Sequence, residues 1–139
     1  MPLEITCKNN HGIGVLTLVG RLTFGHDVLV FRMMFDGLVD EGCVRLALNL
    51  SRLTELDSAG LNTLLYASRA LHKAGGELTL FGLRKSLLDP RIEEKLDAVR
   101  VLENEQDAID SFAPREGVRH YDVLELVRSM KRERDHSQA

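Results

Sequence analysis

The sequence predicts an α/β domain in which about four helices pack on a small mixed sheet of about five strands, with one further helix at the C-terminal end. Short runs of β-branched and apolar residues alternate with segments whose apolar residues recur at helical spacing. The first two runs, 3–8 and 14–22, are separated by the turn signal Asn-Asn-His-Gly, which predicts an antiparallel pair. The strand–helix–strand alternation that follows favours largely parallel pairing through crossover helices.

After these two strands, changes in the spacing of the apolar residues predict the next helix and the next strand. Apolar residues three and four apart predict a helix over 26–41, which His26 or Asp27 opens and a glycine ends. The alternating run 44–50 predicts a central strand, and 51–56 is predicted as the loop that leaves it.

The second half of the domain begins with a strongly amphipathic helix. Its first residues are Asp57-Ser58-Ala59-Gly60, its leucines share one face, and a pair of glycines at 75 and 76 ends it. A strand over 77–82, a helical segment over 85–96 interrupted at Pro90, a short strand over 99–102 and a last helix over 103–112 follow. The interruption is expected because proline lacks the amide hydrogen that a helix interior requires.

The chain divides into two parts. Residues 1–113 form the predicted domain and carry 12 basic against 16 acidic side chains, a net charge of −4. Residues 114–139 are predicted as a linker followed by an amphipathic helix with a disordered end. One helical face of this segment carries Val123, Leu126, Val127 and Met130, and its last turn carries Lys131, Arg132 and Arg134. The helix can pack on its own domain, pair with a second copy or dock on a partner. Its basic end favours a homodimer through residues 120–134, against the acidic domain of the second copy.

Composition narrows the classes of function. The 139 residues carry a net charge of −3, with no Trp and 5% aromatic residues, which argues against nucleic-acid binding. No run approaches the roughly 20 apolar residues of a membrane span, and the N-terminus lacks a signal-peptide pattern. We therefore expect a cytoplasmic protein without membrane insertion. Cys7, Cys43 and the five histidines show no metal-ligand spacing, so we predict no metal, no cofactor and buried or half-buried reduced thiols.

Motifs of catalysis do not occur at the required spacing. Residues 76–86 contain two glycines, a lysine and a serine, but Lys85 does not follow Gly82 directly, as a P-loop requires. Ser58 lies outside any G-x-S-x-G sequence, and the adjacent Glu93 and Glu94 are typical of a solvated helix face. We therefore expect that the protein is not an enzyme.

The most informative segment is Asp-Ser-Ala-Gly-Leu at 57–61. Asp or Ser is a favoured residue at a helix N-cap, which alone accounts for part of the motif. The hydroxyl of Ser58 is also accessible to a modifying enzyme, because it stands where a strand and its loop lead into a helix. A phosphate on Ser58 would meet the positive end of the helix but lie beside Asp57. The fold would tolerate that phosphate, whereas a partner packed on this loop would not.

Several motifs together resemble those of the STAS domain family, and of bacterial anti-sigma factor antagonists in particular. They are Gly20-Arg21-Leu22, Leu48-Asn49-Leu50 with Leu53, the segment at 57–61 and Gly75-Gly76-Glu77-Leu78, and the similarity covers most of residues 3–113. The resemblance implies a mixed sheet flanked by helices and no catalytic centre. It also implies that an anti-sigma factor with serine kinase activity phosphorylates Ser58 and that a phosphatase reverses this. The unphosphorylated form would bind the kinase and free the sigma factor.

The resemblance also places the partner-binding surface, at Thr23, Asp57, Ser58, Ala59, Gly60, Leu61 and Asn62. Thr23 stands where many antagonists carry an acidic residue, and Ala59 stands where a second serine is common, which leaves Ser58 as the acceptor within the motif. Two alternatives use the same domain. One is an accessory subunit of an ABC transporter ATPase, without a phosphorylation cycle, and the other is a scaffold component of a stress-sensing complex.

Overall fold

The computed structural model describes residues 2–112, so Met1, residues 113–139 and the helix predicted near 120–134 lie outside it. Six strands and four α-helices form in this part, in the order β1 Glu4–Asn10, β2 Ile13–Leu22, α1 His26–Asp40, β3 Arg45–Asn49, β4 Leu53–Leu56, α2 Ser58–Lys73, β5 Glu77–Phe81, α3 Pro90–Leu96, β6 Arg100–Leu102 and α4 Glu105–Asp110. A single 3₁₀ turn, Lys85–Leu87, stands between β5 and α3.

The strands form one mixed sheet with the main order β1-β2-β3-β5-β6. β1 is antiparallel to β2, and the pairs β2–β3, β3–β5 and β5–β6 are parallel. The tight turn between β1 and β2 contains His11 and Gly12, both at positive φ, as the Asn-Asn-His-Gly signal predicts. The predicted fold class is confirmed, including the antiparallel first pair and the central position of β3.

The predicted loop over 51–56 is wrong, because it contains a sixth strand. β4 pairs in parallel with the last residues of β2, after a register shift between Gly20 and Arg21. The strand has four residues, and of these only Leu53 is fully buried while Thr54 and Glu55 are exposed. Such a short polar run has no apolar alternation of its own, so its strand conformation depends on its pairing with β2.

The sheet has an apolar layer on each face. In β3, Leu46 and Leu48 point to the layer formed with α1, α2 and α3, whereas Ala47 points to the layer formed with α4. The first layer is the larger one, and Phe31, Phe35, Leu61, Leu64 and Leu71 are its largest helical side chains. Successive strand residues point to opposite faces, so the alternation seen in the sequence divides the core into these two layers.

The predicted helical segment over 85–96 is divided at the expected position. α3 begins at Pro90 as its first helical residue, where the missing amide hydrogen is not needed. The carboxylate of Asp89 caps the helix by accepting hydrogen bonds from the amides of Arg91 at 2.8 Å and Ile92 at 3.0 Å.

The two cysteines differ in exposure. Both thiols were expected to be buried or half-buried. Cys43, between α1 and β3, is half-buried as expected, but the expectation is wrong for Cys7, which is exposed on β1. β1 pairs only with β2 in the described sheet, and most of its side chains face solvent.

Candidate functional site

The candidate site lies at the edge of the sheet where β2 and β4 end and where α1 and α2 begin. Leu22 and Leu56, the last residues of the two strands, are paired with one another. The chain continues from Leu22 into α1 and from Leu56 into α2, so the N-termini of the two helices lie side by side. Ser58 is the first residue of α2 and is exposed.

Asp57 joins the two segments that enter these helices. One carboxylate oxygen, Oδ1, accepts a hydrogen bond from the amide of Gly60 at 2.8 Å and so caps α2. The other oxygen, Oδ2, accepts a hydrogen bond from the amide of Phe24, at 2.9 Å. Of the two cap residues that the sequence allowed, the structure therefore selects Asp57, and it leaves the Ser58 hydroxyl outside the cap.

Gly60 permits the close approach of α2 to the end of β2. A Cβ atom at this position would lie 2.1 Å from the carbonyl oxygen of Leu22, which is a backbone atom and cannot turn aside. Gly60 therefore allows the first turn of α2 to pack directly against the end of β2, and this packing fixes the position of Ser58.

A buried carboxylate holds the other side of the site. Asp27, in the first turn of α1, accepts hydrogen bonds from the side chains of Arg21 and Thr23, each at 3.0 Å. The amide of Leu3 donates a further, longer bond of 3.4 Å. Burial raises the pKa of Asp27, but the bonds from Thr23, Leu3 and Arg21, together with the Arg21 charge, outweigh burial and leave the pKa below its usual range. Asp27 thus fixes the β2–α1 connection from within.

The predicted site residues do not all reach the surface. Ser58 and Asn62 are exposed on the same side of α2, whereas Thr23, Asp57 and Ala59 are half-buried. The partner surface was also predicted to include Gly60 and Leu61. Both lie in the interior, where they pack against the rest of the fold and support that surface from below.

Two residues of the site were missed by the sequence argument. Phe24 is 84% exposed beside Asp57, and Asp27 places a carboxylate next to Thr23, where an acidic side chain was noted as missing. An apolar residue just before a glycine and a helix gives no sign of its exposure. For Asp27, the available signal in the sequence is an acidic residue in the first turn of α1, six positions after Arg21.

Residues 2–112 contain neither a metal-binding cluster nor a membrane-spanning helix. No group of three or more His, Cys, Asp or Glu side chains in this range is placed to hold a metal ion. In the same residues, no helix has the length and the apolar character needed to cross a membrane.

The fold and this edge define a small mixed-sheet α/β domain that presents an exposed serine at the start of a capped helix. Residues 4–108 match the model of the STAS domain family, and the chain belongs to that family.

The relatives of the chain include anti-sigma factor antagonists. The anti-sigma F factor antagonist of Paenibacillus polymyxa is 26% identical over 80 residues, which cover 58% of this chain and 68% of that protein. The crystal structure of an anti-sigma factor antagonist from Mycobacterium paratuberculosis has a TM-score of 0.69 at 17% identity and covers 79% of this chain and 93% of that one. The anti-sigma factor antagonist SpoIIAA of Bacillus, in its unphosphorylated form, has a TM-score of 0.59 at 21% identity and covers 78% of this chain and 94% of that one. At these identities the two solved structures establish a shared fold.

Proposed function

We propose that this protein is an anti-sigma factor antagonist, and that phosphorylation of Ser58 controls its binding to an anti-sigma factor with serine kinase activity. The observation that carries the proposal is the exposed Ser58 hydroxyl at the start of α2, in a frame held by Asp57 and Gly60. Membership of the STAS domain family and similarity to named antagonists support it. SpoIIAA is also known in a phosphorylated form, which is similar to this chain with a TM-score of 0.60 at 22% identity.

In this reaction, Ser58 of this chain would be the phosphate acceptor, and the partner kinase would supply ATP and the catalytic groups. The Ser58 oxygen would attack the γ-phosphorus of ATP, forming a new O–P bond while the bond to the leaving ADP breaks. The hydroxyl proton would pass to a base of the kinase. A phosphatase would hydrolyse the phosphoserine and restore the hydroxyl. In this role the protein is a regulatory binding module with no turnover of its own.

The phosphate would act on binding more than on folding. It brings a charge of about −1.5 to −2 to an exposed position beside the Asp57 carboxylate. Within the free protein, solvent screens the repulsion between these groups, and the positive end of α2 offsets part of it. Within a packed interface the same charge must lose its water, and a partner that fits the uncharged serine offers no compensating cation.

Phosphate transfer from radiolabelled ATP tests the acceptor. The protein is incubated with candidate anti-sigma factor kinases from the same genome, and incorporation is compared between wild type and Ser58→Ala. Ser86→Ala is the matched control, since Ser86 is an exposed serine at the start of a different helical segment. We expect labelling of wild type and Ser86→Ala and loss of labelling in Ser58→Ala. Equal labelling of Ser58→Ala would remove Ser58 as the acceptor.

A further inference from the structure

The outer face of α1 carries an exposed apolar patch. Among the large hydrophobic side chains of residues 2–112, the three most exposed are Phe24 at 84%, Met33 at 76% and Leu29 at 61%. Leu29 and Met33 are four residues apart and so share one helix face, and Phe24 precedes the start of the same helix. We refer to these three residues as the α1 patch. Because α1 buries Phe31 and Phe35 in the core, the patch is a second apolar surface on one helix.

The two ends of α1 lack the groups that usually stabilise helix ends, which are a capping side chain at the N-terminus and cations at the C-terminus. The helices α2, α3 and α4 each begin with an Asp or Asn cap, whereas α1 begins after Gly25, which has no side chain. Asp27 in its first turn accepts its side-chain bonds from Arg21 and Thr23 instead. The last turn of α1 has no basic residue and ends at the exposed Asp40. An antiparallel second copy of α1 would bring a carboxylate to each uncapped N-terminus.

A two-fold axis at Met33 brings these ends together. The outer face of α1 consists of exposed residues at spacings of three and four, which are His26, Leu29, Met33, Gly37 and Asp40. When two such helices pair in antiparallel orientation about Met33, residues equally far before and after Met33 face each other. Asp40 of one copy then lies beside His26 and the N-terminus of the other copy. Its charge meets the positive end of that helix, and His26 can donate a hydrogen bond to it.

Two glycines give the large apolar side chains room in this arrangement. A Cβ atom added at Gly37 or at Gly42 would meet nothing within 4 Å, so the surface beside both residues is open. In the pairing about Met33, Leu29 faces Gly37 of the second copy and Phe24 faces Gly42. Packed helices lie about 8–10 Å apart, depending on the side chains between them, so a small residue opposite a large one allows close contact. One symmetric contact therefore covers all three residues of the α1 patch.

We propose that α1 pairs with α1 of a second copy of this chain, antiparallel about Met33, and that this contact forms a homodimer. A second copy is the occupant that the observations favour, because the apolar patch, the glycines and the end charges are complementary to themselves under a two-fold axis. A single helix pair is a small interface, and interfaces below about 1,200 Å² are typical of weak complexes. The dimer therefore forms and dissociates with protein concentration.

Sedimentation velocity of the full chain between about 1 and 300 µM tests the axis at Met33. Met33→Glu and Met33→Lys are measured separately and as an equimolar mixture. In each variant alone, two like charges meet at the axis, so we expect self-association about tenfold or more weaker than in wild type. In the mixture, opposite charges meet there, and we expect dimers with an affinity within about threefold of wild type. Met33 is exposed, so neither variant disturbs the core.

Asp40→Lys tests the contact between the helix ends. In the single chain a lysine at the C-terminus of α1 suits the helix dipole, so the melting temperature of the monomer should not fall. In the dimer it meets the positive N-terminus of the second copy, and we expect association about fivefold weaker. Asp110→Lys is the matched control, because it makes the same change of charge at the exposed end of α4, on the opposite face of the sheet. We expect the control to associate as wild type does.

Three results would overturn the proposal. A wild-type protein that stays monomeric at every concentration would show that no second copy covers the α1 patch. A dimer that is equally strong in wild type and in both Met33 variants would be formed by another surface of the chain. Failure of the mixed Met33 variants to associate, or an Asp40→Lys variant that dimerises as strongly as wild type, would refute the antiparallel pairing about Met33.

Discussion

Substitution of Gly60 by alanine should destabilise the protein strongly, although alanine is the better helix former. Alanine gains up to about 1 kcal/mol over glycine in a helix. The added Cβ would, however, lie 2.1 Å from the Leu22 carbonyl oxygen, whereas real Cβ contacts essentially never fall below 3.0 Å. The first turn of α2 or the end of β2 must therefore move by about 1 Å, and both are backbone. Overpacking costs about 1–3 kcal/mol where side chains can adjust, so we expect a net loss near 3 kcal/mol here.

Urea unfolding followed by circular dichroism measures this loss as a fall in the transition midpoint at unchanged slope. Gly37→Ala is the matched control, because Gly37 is also helical and its added Cβ would meet nothing within 4 Å. We expect the control to gain about 0.5–1 kcal/mol. If Gly60→Ala proved as stable as wild type, the close approach of α2 to β2 would not be the reason for a glycine in the motif.

Three further substitutions probe the same edge. Asp57→Ala removes the cap of α2 and should lower the free energy of unfolding, measured in urea, by about 1 kcal/mol. Asp57→Asn should lower it by less, because asparagine also caps helices, and an Asp57→Ala variant as stable as wild type would contradict the cap. Asp27 has a lowered pKa in the folded state, so its charge stabilises the fold above its ordinary pKa of about 4 and this stabilisation is lost as the pH falls below that value. Asp27→Asn should therefore flatten the dependence of the urea midpoint on pH below about 4, and an unchanged slope would count against the buried bonds. Ser58→Ala should alter stability by less than about 0.5 kcal/mol, since the exposed serine is not the cap; a larger loss in urea unfolding would show that the hydroxyl supports the fold.

Much of the fold is predictable because local signals and tertiary packing agree. The amphipathic pattern of α2, its Asp57 cap and its terminal glycines all indicate the same helix, which the structure places at Ser58–Lys73. The turn between β1 and β2 and the start of α3 at Pro90 follow in the same way from residues with restricted or unusual backbone preferences. β4 could not be predicted because its strand conformation comes from pairing with β2, which is distant in sequence.

The candidate site was predictable only in part. The motif at 57–61 indicates an exposed serine at a helix start. The leucine pattern of α2 places Leu61 on the buried face, as observed, although the resemblance assigned it to the partner surface, and nothing in the sequence shows that Phe24 is exposed. Whether a side chain faces solvent at this edge depends on how the β2–α1 connection folds against α2. That arrangement is set by Asp57 and Asp27, whose bonds join residues far apart along the chain.

The affinity of the protein for the anti-sigma factor proposed as its partner, measured by calorimetry before and after phosphorylation of Ser58, tests the central claim most directly. The same preparations are compared in thermal unfolding, so that a loss of binding can be separated from a loss of structure. We predict that phosphorylation weakens binding at least tenfold, or about 1.4 kcal/mol, while the melting temperature changes by no more than a few degrees. Equal affinity of the two forms would contradict a switch at Ser58.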